Sequence, residues 1–224
     1  AMLDPDLDRK FARTEAPVQD PEAARLARLR AYGSGRLARY EEMRGKLQGM
    51  APELQELVLQ SYHKLLSYKD EYEVARLLLA TKTQVAERFE GDYEISYHLA
   101  PPLLAKTGPD GRPQKRSFGA WFDWVSQGLA RLSFLRETPF DPFGYSAERR
   151  MERQLIKDFE SLVGRMLRDY DPERLDIWQE ILGLPLNIRG FGPVKLANAK
   201  AMQKRRAELL DQLTKGHASE HSAA

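Results

Sequence analysis

The chain has 224 residues, 42% of them hydrophobic, enough for a sizeable core. Its 35 Lys and Arg stand against 33 Asp and Glu, and a net charge of +2 gives no global field to draw in nucleic acid or an anionic membrane. Cysteine is absent, which excludes thiolate nucleophiles, iron–sulfur ligation and disulfides from this chain and fits a reducing, cytoplasmic setting.

Residues 1–21 read as a linker or N-terminal arm. Pro5, Pro17 and Pro21 sit among charges, and AMLDPDLDRK has no signal-peptide core. Ala1 ahead of Met2 reads as a cloning remnant, so a piece of a longer protein is expected. Residues 22–215 read as one helical domain. PEAARLARLRAY spaces Leu26, Leu29 and Tyr32 by three, and GSG at 33–35 breaks the pattern. RLARYEEMRGKL resumes it with Leu37, Tyr40, Met43 and Leu47. APELQELVLQSYHKLLSYKD predicts a strong amphipathic helix bearing Leu54, Leu57, Leu59, Tyr62, Leu65 and Leu66. EYEVARLLLATKTQVAERF continues helically after a break near Asp70.

The period then changes. Tyr93, Ile95 and Tyr97 alternate, and Pro109-Asp110-Gly111 predicts a turn, so a small β-hairpin is expected over about 93–118. AWFDWVSQGLARLSFL is helical again, and TPFDPFGY is a rigid loop. Ser146 caps a long helix with Met151, Leu155, Phe159, Leu162 and Met166 inward. PERLDIWQEILGL is a short helix, and a final helix starts at Pro193 and runs to about Lys215. Residues 216–224 read as a disordered tail. The expected class is mainly α with one hairpin. No apolar run approaches ~20 residues, so no membrane span is expected.

The residues that invite a chemical reading are few. In NIRGFGPVKLANAK, the glycine turn at 190–192 opens a helix beside Arg189 and Lys195. Leu196 follows Lys195 where a Walker loop needs Ser or Thr, and no strand precedes the glycines as a dinucleotide fingerprint requires. The turn is first a structural element docking Phe191, and second an anion contact on the helix N-terminus. His98 precedes Leu99-Ala100-Pro101-Pro102 with no second metal ligand nearby, so a structural histidine is expected there and at His63. His217 and His221 in the tail offer at most an adventitious metal contact. Arg149, Arg150 and Arg153, mixed with Glu148 and Glu152, form either a solvated face or a partner-facing patch. Arg at a helix N-terminus opposes the dipole, which marks the place. Lys204, Arg205 and Arg206 lack interleaved aromatics, so nucleic acid is not expected. Trp121, Trp124 and Trp178 read as core. No catalytic residue and no metal site emerges.

Five segments occur in order: KLLSYKDEYEVARLL, FEGDYEISYHLAPPLLA, GRPQKRSFGAW, LRETPFDPFGYSAERRMERQLI and IRGFGPVKLAN. Together they resemble the C-terminal domain of bacterial indolepyruvate ferredoxin oxidoreductases, within the 2-oxoacid:acceptor oxidoreductases, over roughly 52–198 and more loosely 22–51. The resemblance implies a parent enzyme that oxidatively decarboxylates aryl or branched 2-oxo acids to acyl-CoA. It implies thiamine diphosphate, iron–sulfur centres, coenzyme A as co-substrate and a ferredoxin-type acceptor, all served by upstream catalytic domains of the same polypeptide. The family's pattern has His where this chain has Pro193, and Gly where it has Glu137.

The expected role is therefore a non-catalytic accessory or scaffolding domain, packed on catalytic domains or on a homodimer mate, with no cofactor of its own. The alternatives are a module binding coenzyme A phosphates through Arg189, Lys195, Arg149, Arg150 and His98, and a stand-alone helical interaction protein.

Overall fold

Asp20 opens the first helix. Its carboxylate accepts the Glu22 N–H at 3.0 Å, and Pro21 fills the first position, where a missing N–H costs nothing. In the computed structural model, residues 20–88, 91, 94–99, 114, 116–190 and 192–221 are described. Among these are eight α-helices and one two-stranded antiparallel hairpin. α1 spans Pro21–Tyr32 and α2 Ser34–Lys46. The GSG stretch is only a one-residue break. Gly33 alone leaves the helix, at φ 137°, and Ser34 already belongs to α2. α3 is Pro52–Leu66 and α4 Glu71–Arg88.

The expected hairpin is present. β1 (Tyr97–Leu99) pairs with β2 (Arg116–Phe118) in the register Tyr97 with Phe118, His98 with Ser117 and Leu99 with Arg116. The predicted turn at 109–111, Tyr93 and Phe191 lie outside the described residues. α5 (Phe122–Arg131) runs into a 3-10 turn at Leu132–Leu135. α6 is Ala147–Arg168, capped as expected by the Ser146 hydroxyl, which accepts the Arg149 N–H at 3.2 Å. A 3-10 turn at Pro172–Arg174 leads into α7 (Leu175–Gly183), and a second at Leu184–Asn187 follows it. α8 runs from Pro193 to His221, past Lys215.

Two cores result. The larger surrounds α3, whose Leu54, Val58, Tyr62 and Leu66 are almost wholly buried. Met43 and Leu47 of α2, Leu155, Phe159 and Met166 of α6, Trp178 and Leu182 of α7, and Leu209 of α8 close around it. Tyr62 stacks on Phe159 at 5.9 Å and on Tyr40 at 6.5 Å. The smaller core is Tyr97, Phe118 and Phe122, backed by Leu78, Ile95 and Leu99. It fastens the hairpin and α5 to α4. Asp123 completes the joint by pairing with Lys82 and accepting the Tyr97 hydroxyl at 2.6 Å.

Trp178 is core, as expected, but Trp121 and Trp124 are not: they are 57% and 79% exposed. Helical spacing cannot tell which side of α5 faces inward. Phe122, Asp123 and Ser126 take the inner face, which turns both tryptophans outward.

No helix among the described residues is long and apolar enough to cross a membrane.

Candidate functional site: a buried charge network

The loop from Arg136 to Ser146 is held where α1, α3, α4 and α6 meet. Arg136 grips Asp70 with two nitrogens, at 2.5 and 3.1 Å, and donates to the Tyr32 carbonyl at 2.6 Å. Asp70 is also the N-terminal cap of α4, accepting the Glu73 N–H at 2.8 Å. Asp141 staples the loop from inside. It accepts the Tyr72 hydroxyl at 3.0 Å, the Phe143 N–H at 3.1 Å and the Glu137 N–H at 3.2 Å. Gly144 packs so closely on Asp141 that a Cβ there would lie 3.0 Å from its carboxylate. Arg153 donates to the Gly144 carbonyl at 2.6 Å, joining the loop to α6.

Glu137 is the one non-glycine residue with positive φ, 63°, among those described. Its carboxylate pairs with buried Arg36 at 2.5 Å and accepts the Tyr68 hydroxyl at 3.2 Å. A left-handed L-residue costs roughly 1–2 kcal/mol. Hydrogen bonds to charged groups contribute about 1.5–3 kcal/mol, enough to offset that cost.

Tyrosine rings line the same region. The Arg36 guanidinium lies 4.3 Å from the Tyr68 ring centre, Arg136 lies 4.7 Å from Tyr32, and Arg149 lies 5.3 Å from Tyr68. Burial pushes the Tyr68 phenol up to about 12, against the opposing pull of Arg36, so it is a hydrogen-bond donor at neutral pH.

Of the five residues expected to bind an anion, two come together. Arg149 is buried, pairs with Glu152 one turn along α6, donates to the Lys69 carbonyl at 3.3 Å and faces Glu71 at 3.4 Å. Lys195, on the first turn of α8, pairs with the same Glu152 and lies 3.9 Å from Glu148. Burial raises the Glu152 carboxyl above the usual range, while Arg149 and Lys195 pull it back. One buried carboxylate thus serves two cations, with Glu71 beside Arg149 and Glu148 near Lys195. The dipole misfit of Arg149 is resolved the same way, by Glu152 and Glu71.

The other three stand apart. Arg150 and Arg189 are exposed. Arg189 contributes its carbonyl, which accepts the Asn198 amide at 2.8 Å. His98 is exposed on β1, and among the described residues no hydrogen bond or ion pair links it to Arg149 or Lys195. Both arginines of the basic run on α8 are also committed. Arg205 pairs with Glu180 at 2.7 Å and Arg206 with Asp158 at 3.0 Å.

The glycine turn has a steric basis. Gly190 has φ 89°, and a Cβ there would sit 2.8 Å from the Val194 side chain. Gly192 has φ 55° but open space around it. Pro193 opens α8, and the Leu196 N–H reaches the Gly192 carbonyl at 3.0 Å. Nearby Lys64 donates to the Leu186 carbonyl, and burial, then Arg189 and Lys195, lower its pKa.

One nucleophile–base contact was not anticipated. The Ser67 hydroxyl lies 3.1 Å from His63 Nε2, an i, i+4 pair at the end of α3. Burial, then Arg28 and Arg25, depress this imidazole to about 4. A base so weak takes up little of a serine proton at neutral pH. An open cleft of about 190 Å³ lies on α2 and α3, but its charges are paired too. Arg39 binds Glu160 at 2.7 Å and Lys46 binds Glu42 at 2.7 Å.

The sequence matches a family model over residues 18–208, most of its length. The chain belongs to DUF6537, a family of unknown function. No curated protein and no solved structure matches it. The matched span of this DUF6537 chain takes in the buried network, the smaller core and all of the larger core up to Met202, leaving out Leu209 and Leu213 of α8.

Proposed function

We propose that this DUF6537 chain is a non-catalytic accessory or scaffolding domain of a 2-oxoacid:ferredoxin oxidoreductase of the indolepyruvate type. One observation supports a structural over a ligand-binding role: Arg149 and Lys195 are both held by Glu152. The family part rests on the ordered sequence motifs. Two of them, ETPFDPFGYSAERR and IRGFGPVKLAN, contribute to the network that joins the helices. In such an enzyme the thiamine diphosphate, iron–sulfur and coenzyme A chemistry belongs to other domains of the polypeptide.

A second reading, an anionic-ligand module for coenzyme A phosphates, is favoured by one feature. Burial first, then Arg189 and Lys195, lower the pKa of Lys64, so the three cations share one electrostatic neighbourhood. Lys64 and Lys195 already have oxygen partners there, which weakens this reading.

The proposal is tested by assaying the purified chain with indolepyruvate, thiamine diphosphate, coenzyme A and a viologen acceptor. The assay is run alone and with a 2-oxoacid oxidoreductase from which the matching C-terminal domain has been deleted. No turnover alone, with restored assembly or activity on mixing, is expected. Turnover by the chain alone overturns the non-catalytic assignment, and failure to associate with the deleted enzyme overturns the scaffolding role.

A further inference from the structure

α5 has an engaged side and an exposed apolar side. Its inner face is spent on α4 and the hairpin, through Phe122, Asp123 and Ser126. Its outer face carries Trp121, Trp124, Val125 and, one turn past Gly128, Leu132, with exposures of 57%, 79%, 39% and 42%. The spacings of three, four and seven put these on one stripe.

Gly128 lies in the middle of that stripe. A glycine inside a helix costs roughly 0.5–1 kcal/mol relative to alanine. Nothing among the described residues requires it, since a Cβ at 128 would meet no atom within 4 Å. A missing side chain between exposed Trp124 and Leu132 suits a close backbone approach by something outside the chain.

We propose that the outer face of α5 is a homodimer interface, in which two copies of α5 cross antiparallel at Gly128. A two-fold axis through that residue places Trp124 against Leu132 of the second copy and Trp121 against Leu135. The large residues on one half of the stripe thus meet the smaller ones on the other half, as a self-complementary patch requires. The four exposed side chains offer on the order of 500 Å² of apolar surface per copy. A standard interface buries about 800 Å² per partner, of which roughly 450–520 Å² is apolar. The stripe supplies that apolar share. The inference goes beyond the accessory-domain reading and holds whether or not an enzyme partner exists.

The test is analytical ultracentrifugation of the 224-residue chain from about 1 to about 100 µM. The wild type is expected to approach twice its 25.7 kDa mass. Trp124→Glu is expected to weaken the dimer at least ~30-fold, the effect of losing a hot-spot aromatic. Gly128→Leu is expected to weaken it as much while leaving the monomer folded, because the added side chain meets open space. Circular dichroism confirms the fold of each variant. A chain that stays at 25.7 kDa throughout overturns the proposal, as does a dimer indifferent to both substitutions.

Discussion

Lys195, on the first turn of α8, forms an ion pair with Glu152, which is 3% exposed and lies 43 residues earlier on α6. The lysine that looks most like a phosphate ligand in sequence thus neutralises a buried carboxylate. Replacing Glu152 should be costly, because of their carboxylate partners Arg149 would keep only Glu71 and Lys195 only the distant Glu148. Glu152→Gln is expected to lose about 3 kcal/mol, the range for breaking a buried pair. In a thermal melt this reads as a fall of roughly 10 °C for a chain of this size. Lys195→Met, which leaves Arg149 on Glu152, should cost less.

Glu137 provides a second test, since backbone and side chain pull in opposite directions. Glu137→Gly relieves the left-handed φ of 63° but strips buried Arg36 of its carboxylate. The second effect is the larger, so a net loss of about 1–2 kcal/mol is expected by urea denaturation. Glu137→Ala, with the strain kept and the partner gone, should lose more.

The two glycines of the turn separate strain from collision. Gly192→Ala meets only an unfavourable φ and is expected to cost about 1 kcal/mol. Gly190→Ala meets the same difficulty plus the Val194 side chain at 2.8 Å, and is expected to cost about 2–3 kcal/mol. Equal melting temperatures for the two variants would show that the Val194 contact is unimportant.

His63 makes stability depend on pH. Its folded pKa of about 4 lies below the unfolded value of about 6.5, so the unfolded chain binds the proton more readily in between. Its contribution is complete above about pH 6.5 and is lost as pH falls toward 4. Because His63 is only partly buried, solvent screening limits the effect to about 1–2 kcal/mol. His63→Gln should flatten this part of the curve, measured as the difference between variant and wild-type denaturation midpoints from pH 7 to pH 4.5.

Much of the fold was legible because caps and periodicity act locally. Pro21, Ser146 and Pro193 mark helix starts that the structure retains. The hairpin was visible from the alternation ending at Tyr97. Two things were not legible. The facing of α5 depends on where α4 and the hairpin lie, so Trp121 and Trp124 read as core though both are exposed. The partners of the site residues depend on contacts distant in sequence. Asp70, Glu137 and Asp141 carry no local sign of their partners: Arg136 reaches back 66 residues to Asp70 and Tyr72 reaches 69 residues to Asp141. The one available signal was local: buried Arg149 and Glu152 lie at i, i+3 on the face that also carries Leu155, Ile156 and Phe159.

The most direct test of the central claim, that these cations support the fold and do not hold a ligand, is calorimetric titration of the chain with coenzyme A at low salt. No saturable heat up to millimolar ligand is predicted. Saturable binding that weakens with added salt, and is abolished by Arg189→Gln together with Lys195→Gln in a folded variant, would contradict the account.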